Sequence, residues 1–291
     1  MDNNEQVLSR LREDILLRGL SKNTLESYTL NARIFLTYCN RPVDELDVED
    51  IRKFLQYLIQ EKKSSPATVN TYSAAIRFLF AVTWNRTLNY LQIPQQKKRK
   101  SIPELLTREE VSAIMTGCDN IKHKAMLMVV YSSGLRVSEA AALKIQHIDS
   151  KTMRVFVGCG KGGKDRFTLL SETCLHVLRE YWKVYRPQHP EGWLFLGTNK
   201  VTPITSAGIK NAFYKKRTKI AKDVSVHTLR HSFATHLLED GASLLQIKEL
   251  LGHAHIQSTT IYLHLANVTS GLKSPLDHST IMSQPSVICH G

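Results

Sequence analysis

The sequence predicts a mainly α-helical chain in two parts: an N-terminal helical bundle, then an α+β domain in which a small β-hairpin interrupts the helices. Three observations carry that prediction. Apolar residues recur at three- and four-residue steps through most of residues 1–90. A basic stretch bounded by Pro94 and Pro103 separates the halves. Two alternating runs, at 153–157 and 165–170, flank the glycine-rich GCGKGG, which is the pattern of a hairpin. A chain of 291 residues is comfortable for two domains. Its 42% hydrophobic and 22% charged residues describe a globular protein able to bury real cores.

The elements follow in order. Ser21-Lys22-Asn23-Thr24 reads as a helix start, and Leu25, Tyr28, Ala32, Phe35 and Cys39 then form one apolar face. A second helix spans about 48–62, with Ile51, Phe54, Leu55, Leu58 and Ile59 inward. Ser65-Pro66 opens a third, because proline suits a first helical position; its stripe is Val69, Tyr72, Ala75/Ile76 and Leu79/Phe80. Thr107 with Glu110 is a capping box that starts the second domain. Helices are expected at about 108–116, 121–132 and 172–185, with a short strand at Trp193-Leu194-Phe195-Leu196. From 205 to about 266 the chain reads as helical, Gly252 ending one helix and the next carrying Tyr262. The expected division is therefore a helical domain at 1–93, a basic linker at 94–104, an α+β domain at 105–266 and a weakly periodic tail at 267–291.

Charge narrows the partner. The net charge is +13 and the isoelectric point about 9.5, which points to a polyanion. Residues 1–95 are nearly balanced, with 12 Lys/Arg against 11 Asp/Glu; residues 101–291 carry 23 against 15. Between them Lys97, Lys98, Arg99 and Lys100 form a run suited to a phosphate backbone, and Lys164 and Arg166 add charge at the hairpin. The five cysteines form no close pairs, the start MDNNEQ is polar, and no apolar run approaches a membrane span of ~18–20 residues. These features read as cytoplasmic, without a membrane partner.

One constellation carries chemistry. Arg136 lies near a helix start with Glu139 three residues on; His227 and Arg230 share a helix face; His253 follows Gly252; Tyr262 comes last. Two guanidiniums can clamp the non-bridging oxygens of a phosphodiester. A phenol can attack the phosphorus. An imidazole beside a guanidinium is an odd pairing unless an anion is shared. Lys161 stands at the glycine-rich hairpin tip, where it can reach a leaving oxygen, with Lys164 as the alternative. The spacing of His227 and His231 also suits zinc, but no HExxH, cysteine pair or acidic partner completes a metal site.

The segments SSGLRVSEAAAL, GKGGKDR and HTLRHSFATHLLEDGASLLQIKELLGHAHIQSTTIYLHL, with the opening LSKNTLESY, resemble the tyrosine recombinases, the phage-integrase and Xer-type site-specific recombinases. The likeness runs from about residue 7 to 266. It implies that Arg136 and Arg230 grip the scissile phosphate and that Lys161 protonates the departing 5′ oxygen. His227 would assist the tyrosine's proton, His253 would donate to a phosphate oxygen, Tyr262 would be the nucleophile and Glu139 would support the site. It further implies a tyrosine-recombinase catalytic domain behind a core-binding helical domain, and a 3′-phosphotyrosyl intermediate exchanged through a Holliday junction. The partner would be double-stranded DNA with inverted half-sites, held by a homo-tetramer, a dimer per site, with a partner recombinase or accessory protein possible. The tail would dock on a neighbouring protomer. Neither cofactor nor ATP is called for, and the biological use would be integration or excision of a mobile element, or dimer resolution.

Overall fold

Helix starts in this chain are written by short polar side chains that take up orphan backbone N–H groups. Ser21 Oγ accepts from Thr24 N at 3.2 Å and Ser65 Oγ from Thr68 N at 3.2 Å. Asp47 accepts from the backbone N–H of Glu49 and Asp50, and Asp50 answers by accepting from the Asp47 N–H. Thr107 and Glu110 close the same reciprocal box. Each such cap contributes about 1 kcal/mol.

The computed structural model describes residues 2–86, 93, 95–97, 103–158, 165–217 and 220–266. It separates into two units, Met1–Ser101 and Ile102–Gly291. The hairpin tip with Lys161 and Lys164, the linker residues Lys98, Arg99 and Lys100, and the tail at 267–291 lie outside the described residues.

The first unit is all helical: α1 (Asp2–Leu17), α2 (Lys22–Cys39), α3 (Val48–Gln60) and α4 (Pro66–Phe78), the last running into a π turn at Leu79–Thr83. Its centre is aromatic. Phe35 meets Phe54 edge-on at 5.3 Å and Phe80 at 6.2 Å, and all three are fully buried. Such contacts add to area burial. The π turn places Leu79 and Phe80, neighbours in sequence, both inside the core. Ile59, expected inward, is 40% exposed, because Leu55 and Leu58 already fill the inner face of α3 near its end.

The second unit holds α5 (Arg108–Thr116), α6 (Ile121–Ser132), α7 (Val137–Ala141), strands β1 (Ile148–Asp149), β2 (Arg154–Val157) and β3 (Arg166–Leu169), then α8 (Glu172–Tyr185), α9 (Ser206–Lys216), α10 (Val226–Glu239) and α11 (Leu244–Leu251). Helix α6 is apolar nearly all round, with Ala125, Met126, Leu127, Val129 and Val130 buried, so it serves as the central post. Against it pack α5, α7, α8, α9 and α10. The sheet is antiparallel in the order β1-β2-β3, with Val155 opposite Thr168 and Val157 opposite Arg166. The apolar run at 193–196 makes only isolated bridges, Lys144 with Trp193 and Leu196 with Pro203, rather than a strand in the sheet. The segment beyond Gly252 is two 3₁₀ turns, Ile256–Ser258 and Thr260–His264, and not an α-helix.

Candidate active site

Gly134 begins the site. Its φ of +59° turns the chain out of α6 and aims the next residues at α7. Arg136 caps α7, but the helix start does not lie open to an outside anion. Glu139 occupies it: Oε2 accepts from the Arg136 backbone N–H at 2.8 Å, and Oε1 accepts from Arg136 Nη1 at 2.7 Å. The Arg136 side chain remains 25% exposed, and Glu139 takes only Nη1 of its guanidinium.

Arg230 comes from α10 and is buried. Its Nη1 donates to the Gly134 carbonyl at 2.6 Å and its Nη2 to that of Leu251 at 2.7 Å. Nη1 also stands 3.7 Å from Glu139 Oε2. Burial, with Arg136 beside it, lowers its pKa to about 10, which still leaves it cationic at neutral pH. His227, one turn earlier on α10, is exposed.

Arg166 departs from expectation. The basic hairpin predicts that it contacts DNA, yet its side chain is only 8% exposed. Its Nη1 and Nη2 fork onto Glu139 at 3.0 and 2.7 Å, and its Nε donates to the Leu250 carbonyl at 2.8 Å. The strand register explains this: Arg166 shares a face with buried Thr168, while Phe167 and Leu169 face out. For Glu139, burial alone would raise the pKa; the bonds from Arg166 and Arg136 hold it down to about 2. Three guanidiniums around one carboxylate leave two positive charges in excess. Lys97 is exposed in the first unit.

Tyr262 is 1% exposed on the last 3₁₀ turn. Its ring stacks on His253 with centroids 6.4 Å apart and planes 15° apart. His253 Nδ1 is bonded to Thr259 Oγ1 at 2.9 Å; in the tautomer where Thr259 donates, Nε2 carries the ring's proton as a donor. The imidazole in contact with the phenol is His231, whose Nδ1 is 3.2 Å from Oη. Burial, then Arg230 and His227, lowers the pKa of His231, which favours its neutral form. Burial raises the pKa of Tyr262, and Arg230 and Arg136 pull it back. Sequence reading passed over His231 except as a zinc ligand; its place four residues after His227, one turn along the same helix, was the available signal. Among the described residues no three His, Cys, Asp or Glu side chains gather as a metal set.

These groups make the second unit sensitive to acid. His253 is pushed down to about 4 by burial and by Arg230 and Arg136, whereas an unfolded histidine titrates near ~6.5. Between those values the unfolded chain binds more protons, so stability falls as pH falls. Glu139, at about 2 when folded against ~4.3 unfolded, extends the loss below pH ~4.3. Melting temperatures from pH 7 to 4 should fall, and less steeply in His253→Gln; equal slopes would refute the assignment to His253.

Residues 104–268 match the phage integrase family, and residues 7–90 match its N-terminal SAM-like domain. The integrase/recombinase y4qK of Sinorhizobium fredii is 39% identical over 272 residues, spanning 92% of this chain and 87% of that protein. Tyrosine recombinase XerD of Listeria innocua is 32% identical over 280 residues, spanning 87% and 92%. Among solved structures, the XerA recombinase aligns with a TM-score of 0.53 at 26% identity, over 91% of this chain and 95% of that one. A lambda integrase tetramer bound to a Holliday junction aligns at 0.71 and 17% identity, over 93% and 79%, a likeness of fold alone. With the arginines, histidines and tyrosine in one site and a family match across both units, the chain belongs to the phage integrase family, the tyrosine recombinases.

Proposed function

We propose that this chain is a cytoplasmic, site-specific DNA recombinase that cleaves and rejoins duplex DNA through Tyr262. One observation carries the reading: a buried phenol whose Oη stands 3.2 Å from the His231 imidazole, with Arg230 and Arg136 lowering its pKa against burial. A phosphodiester seated on Arg136 and Arg230 meets the nucleophile there. Oη bonds to phosphorus, the P–O5′ bond breaks, and the 3′ phosphate stays on the tyrosine. The phenolic proton passes to His231, the imidazole in contact. His227 and His253 serve the phosphate oxygens. The departing 5′ oxygen takes its proton from Lys161, or from Lys164 in the same loop. Preorganised cations meet the charge of the pentacoordinate phosphorus. Aryl oxide is a tolerable leaving group, so a 5′-hydroxyl reverses the step with bond energy conserved and without ATP or cofactor.

The same reading extends to assembly. Two protomers would occupy inverted half-sites and four would hold two sites, exchanging strands through a Holliday junction. Residues 267–291 would dock on a neighbouring protomer. A cavity of about 920 Å³ in the second unit is lined by apolar side chains such as Met115, Met153 and Phe233 together with Arg108, Lys124 and Asp240. The biological use would be integration or excision of a mobile element, or dimer resolution, alone or with a partner recombinase.

Covalent trapping tests the reading: nicked duplexes from the DNA flanking the gene, denaturation in SDS, and a search for a protein–DNA band. The basic run at Lys97–Lys100 predicts a second result. Raising salt from about 50 to about 200 mM should weaken binding by orders of magnitude; a flat response would remove the linker from the phosphate backbone.

A further inference from the structure

We propose that Arg166 is a positioning residue for strand cleavage, acting through Glu139 to keep Arg136 open to the phosphate. The inference rests on the reading of Arg136 as a phosphate ligand.

Burying a guanidinium is costly unless its donors are met. Arg166 meets the cost inside the fold. Nε goes to the Leu250 carbonyl, and both terminal nitrogens go to Glu139. Nothing in that arrangement is turned toward a ligand, and the side chain is nearly closed to solvent. The role of Arg166 therefore lies in what it does to Glu139.

Glu139 is shared between two guanidiniums. Oε1 takes Nη1 of both Arg136 and Arg166, and Oε2 takes the Arg136 backbone N–H and Arg166 Nη2. The fork, which is the strong geometry for a carboxylate, belongs to Arg166. Arg136 receives a single side-chain bond, and its remaining donors stay unclaimed by Glu139. Without Arg166 the carboxylate is released to close a fork of its own on Arg136, the nearest remaining cation. That capture would mask the phosphate ligand, and the cluster would lose one of its two excess charges. Arg166 thus fixes the carboxylate in the one pose that anchors Arg136 without covering it.

A second contact places Arg166 under the neighbouring site group. Gly252 stands at φ +64°, and a Cβ there would lie 2.8 Å from Arg166 Cδ. Gly252 leads directly into His253. One side chain at the base of the hairpin therefore braces both the start of α7 and the end of α11, the two places that present Arg136 and His253.

The test is a double-mutant cycle at 166 and 139, read in two ways. The first readout is the rate of covalent adduct on a nicked flanking duplex, with DNA affinity measured beside it. Arg166→Gln should form adduct at least tenfold more slowly while affinity stays within about twofold. Arg166→Gln/Glu139→Gln should recover most of that loss, because the freed carboxylate is gone; coupled residues give non-additive effects. Arg166→Lys, which keeps the charge and lacks the fork, should fall between. The second readout needs no target DNA: the rise in melting temperature on adding tungstate, an inorganic phosphate stand-in, each variant compared with its own anion-free value. The rise should shrink in Arg166→Gln and return in the double variant, with Arg136→Ala as the floor.

Absence of any adduct from the unaltered protein would sink the recombinase reading, and the tungstate series would still decide on Arg166. An Arg166→Gln protein equal to the unaltered one overturns the inference. So does strict additivity with Glu139→Gln, or a loss of DNA affinity as large as the loss of rate, which would make Arg166 a DNA contact. No tungstate effect even in the unaltered protein would overturn the claim that Arg136 is presented to anions.

Discussion

Tyr262→Phe is expected to abolish the covalent protein–DNA band completely while leaving fold and DNA binding in place. The substitution removes one oxygen. The ring keeps its stack on His253 and its place among Phe233, Ala234, Ile247 and Leu251. The one bond lost is that between Oη and His231. Leaving a half-buried imidazole nitrogen without its partner costs about 1 kcal/mol, too little to unfold a domain of this size. Under the proposed mechanism only the attacking atom disappears. A band that persists at the unaltered level in Tyr262→Phe would place the nucleophile elsewhere.

Gly134→Ala should be the most damaging small change in the second unit. The backbone there has φ +59°, a region that costs an alanine about 1 kcal/mol or more. Space is the larger problem. A Cβ would sit 2.4 and 2.5 Å from two ring carbons of Phe233 and 3.0 Å from Leu251 Cδ2. Phe233 lies one turn beyond Arg230 on α10, and the Gly134 carbonyl is the acceptor of Arg230 Nη1. Relief of the clash must shift either the phenyl ring or the carbonyl. Overpacking of this kind adds roughly 1–3 kcal/mol or more, and the combined loss corresponds to a melting temperature lower by about 10 °C. Adduct formation should fall at least a hundredfold, because Arg230 is displaced with its acceptor. A melting temperature within a degree of the unaltered protein would show that α6 and α10 are not packed as described.

Much of this was legible beforehand, for stated reasons. Caps at Ser21, Ser65 and Thr107 act within four residues, so the chain announces them locally. Helices with one apolar face, such as α3, follow from spacing. The site residues stood out because arginines, histidines and a tyrosine recur in a pattern with no structural need. What escaped notice depends on partners far away in sequence. Arg166 and Glu139 are 27 residues apart, and His231 and Tyr262 are 31 apart. Arg166 looked like surface charge and His231 like a stray ligand until the fold set them against Glu139 and Tyr262. The alternation of β3 did hold a clue to Arg166, but the basic hairpin outweighed it. The run at 193–196 misled in the other direction: its apolar character serves burial against the helices, and the sheet does not need it. The turn that carries Tyr262 is 3₁₀ and packs against α10.

The enclosure of Tyr262 bears on fidelity. An ester formed on an atom held at this depth is shielded from bulk water. Hydrolysis would strand the DNA with a permanent nick and discard the stored bond energy. A 5′-hydroxyl delivered by the bound duplex suffers no such barrier, since it arrives already positioned. If Tyr262 carries the proposed ester, its depth biases that intermediate toward resealing, and a variant that exposed the tyrosine would be expected to leave breaks where the unaltered protein leaves joined strands.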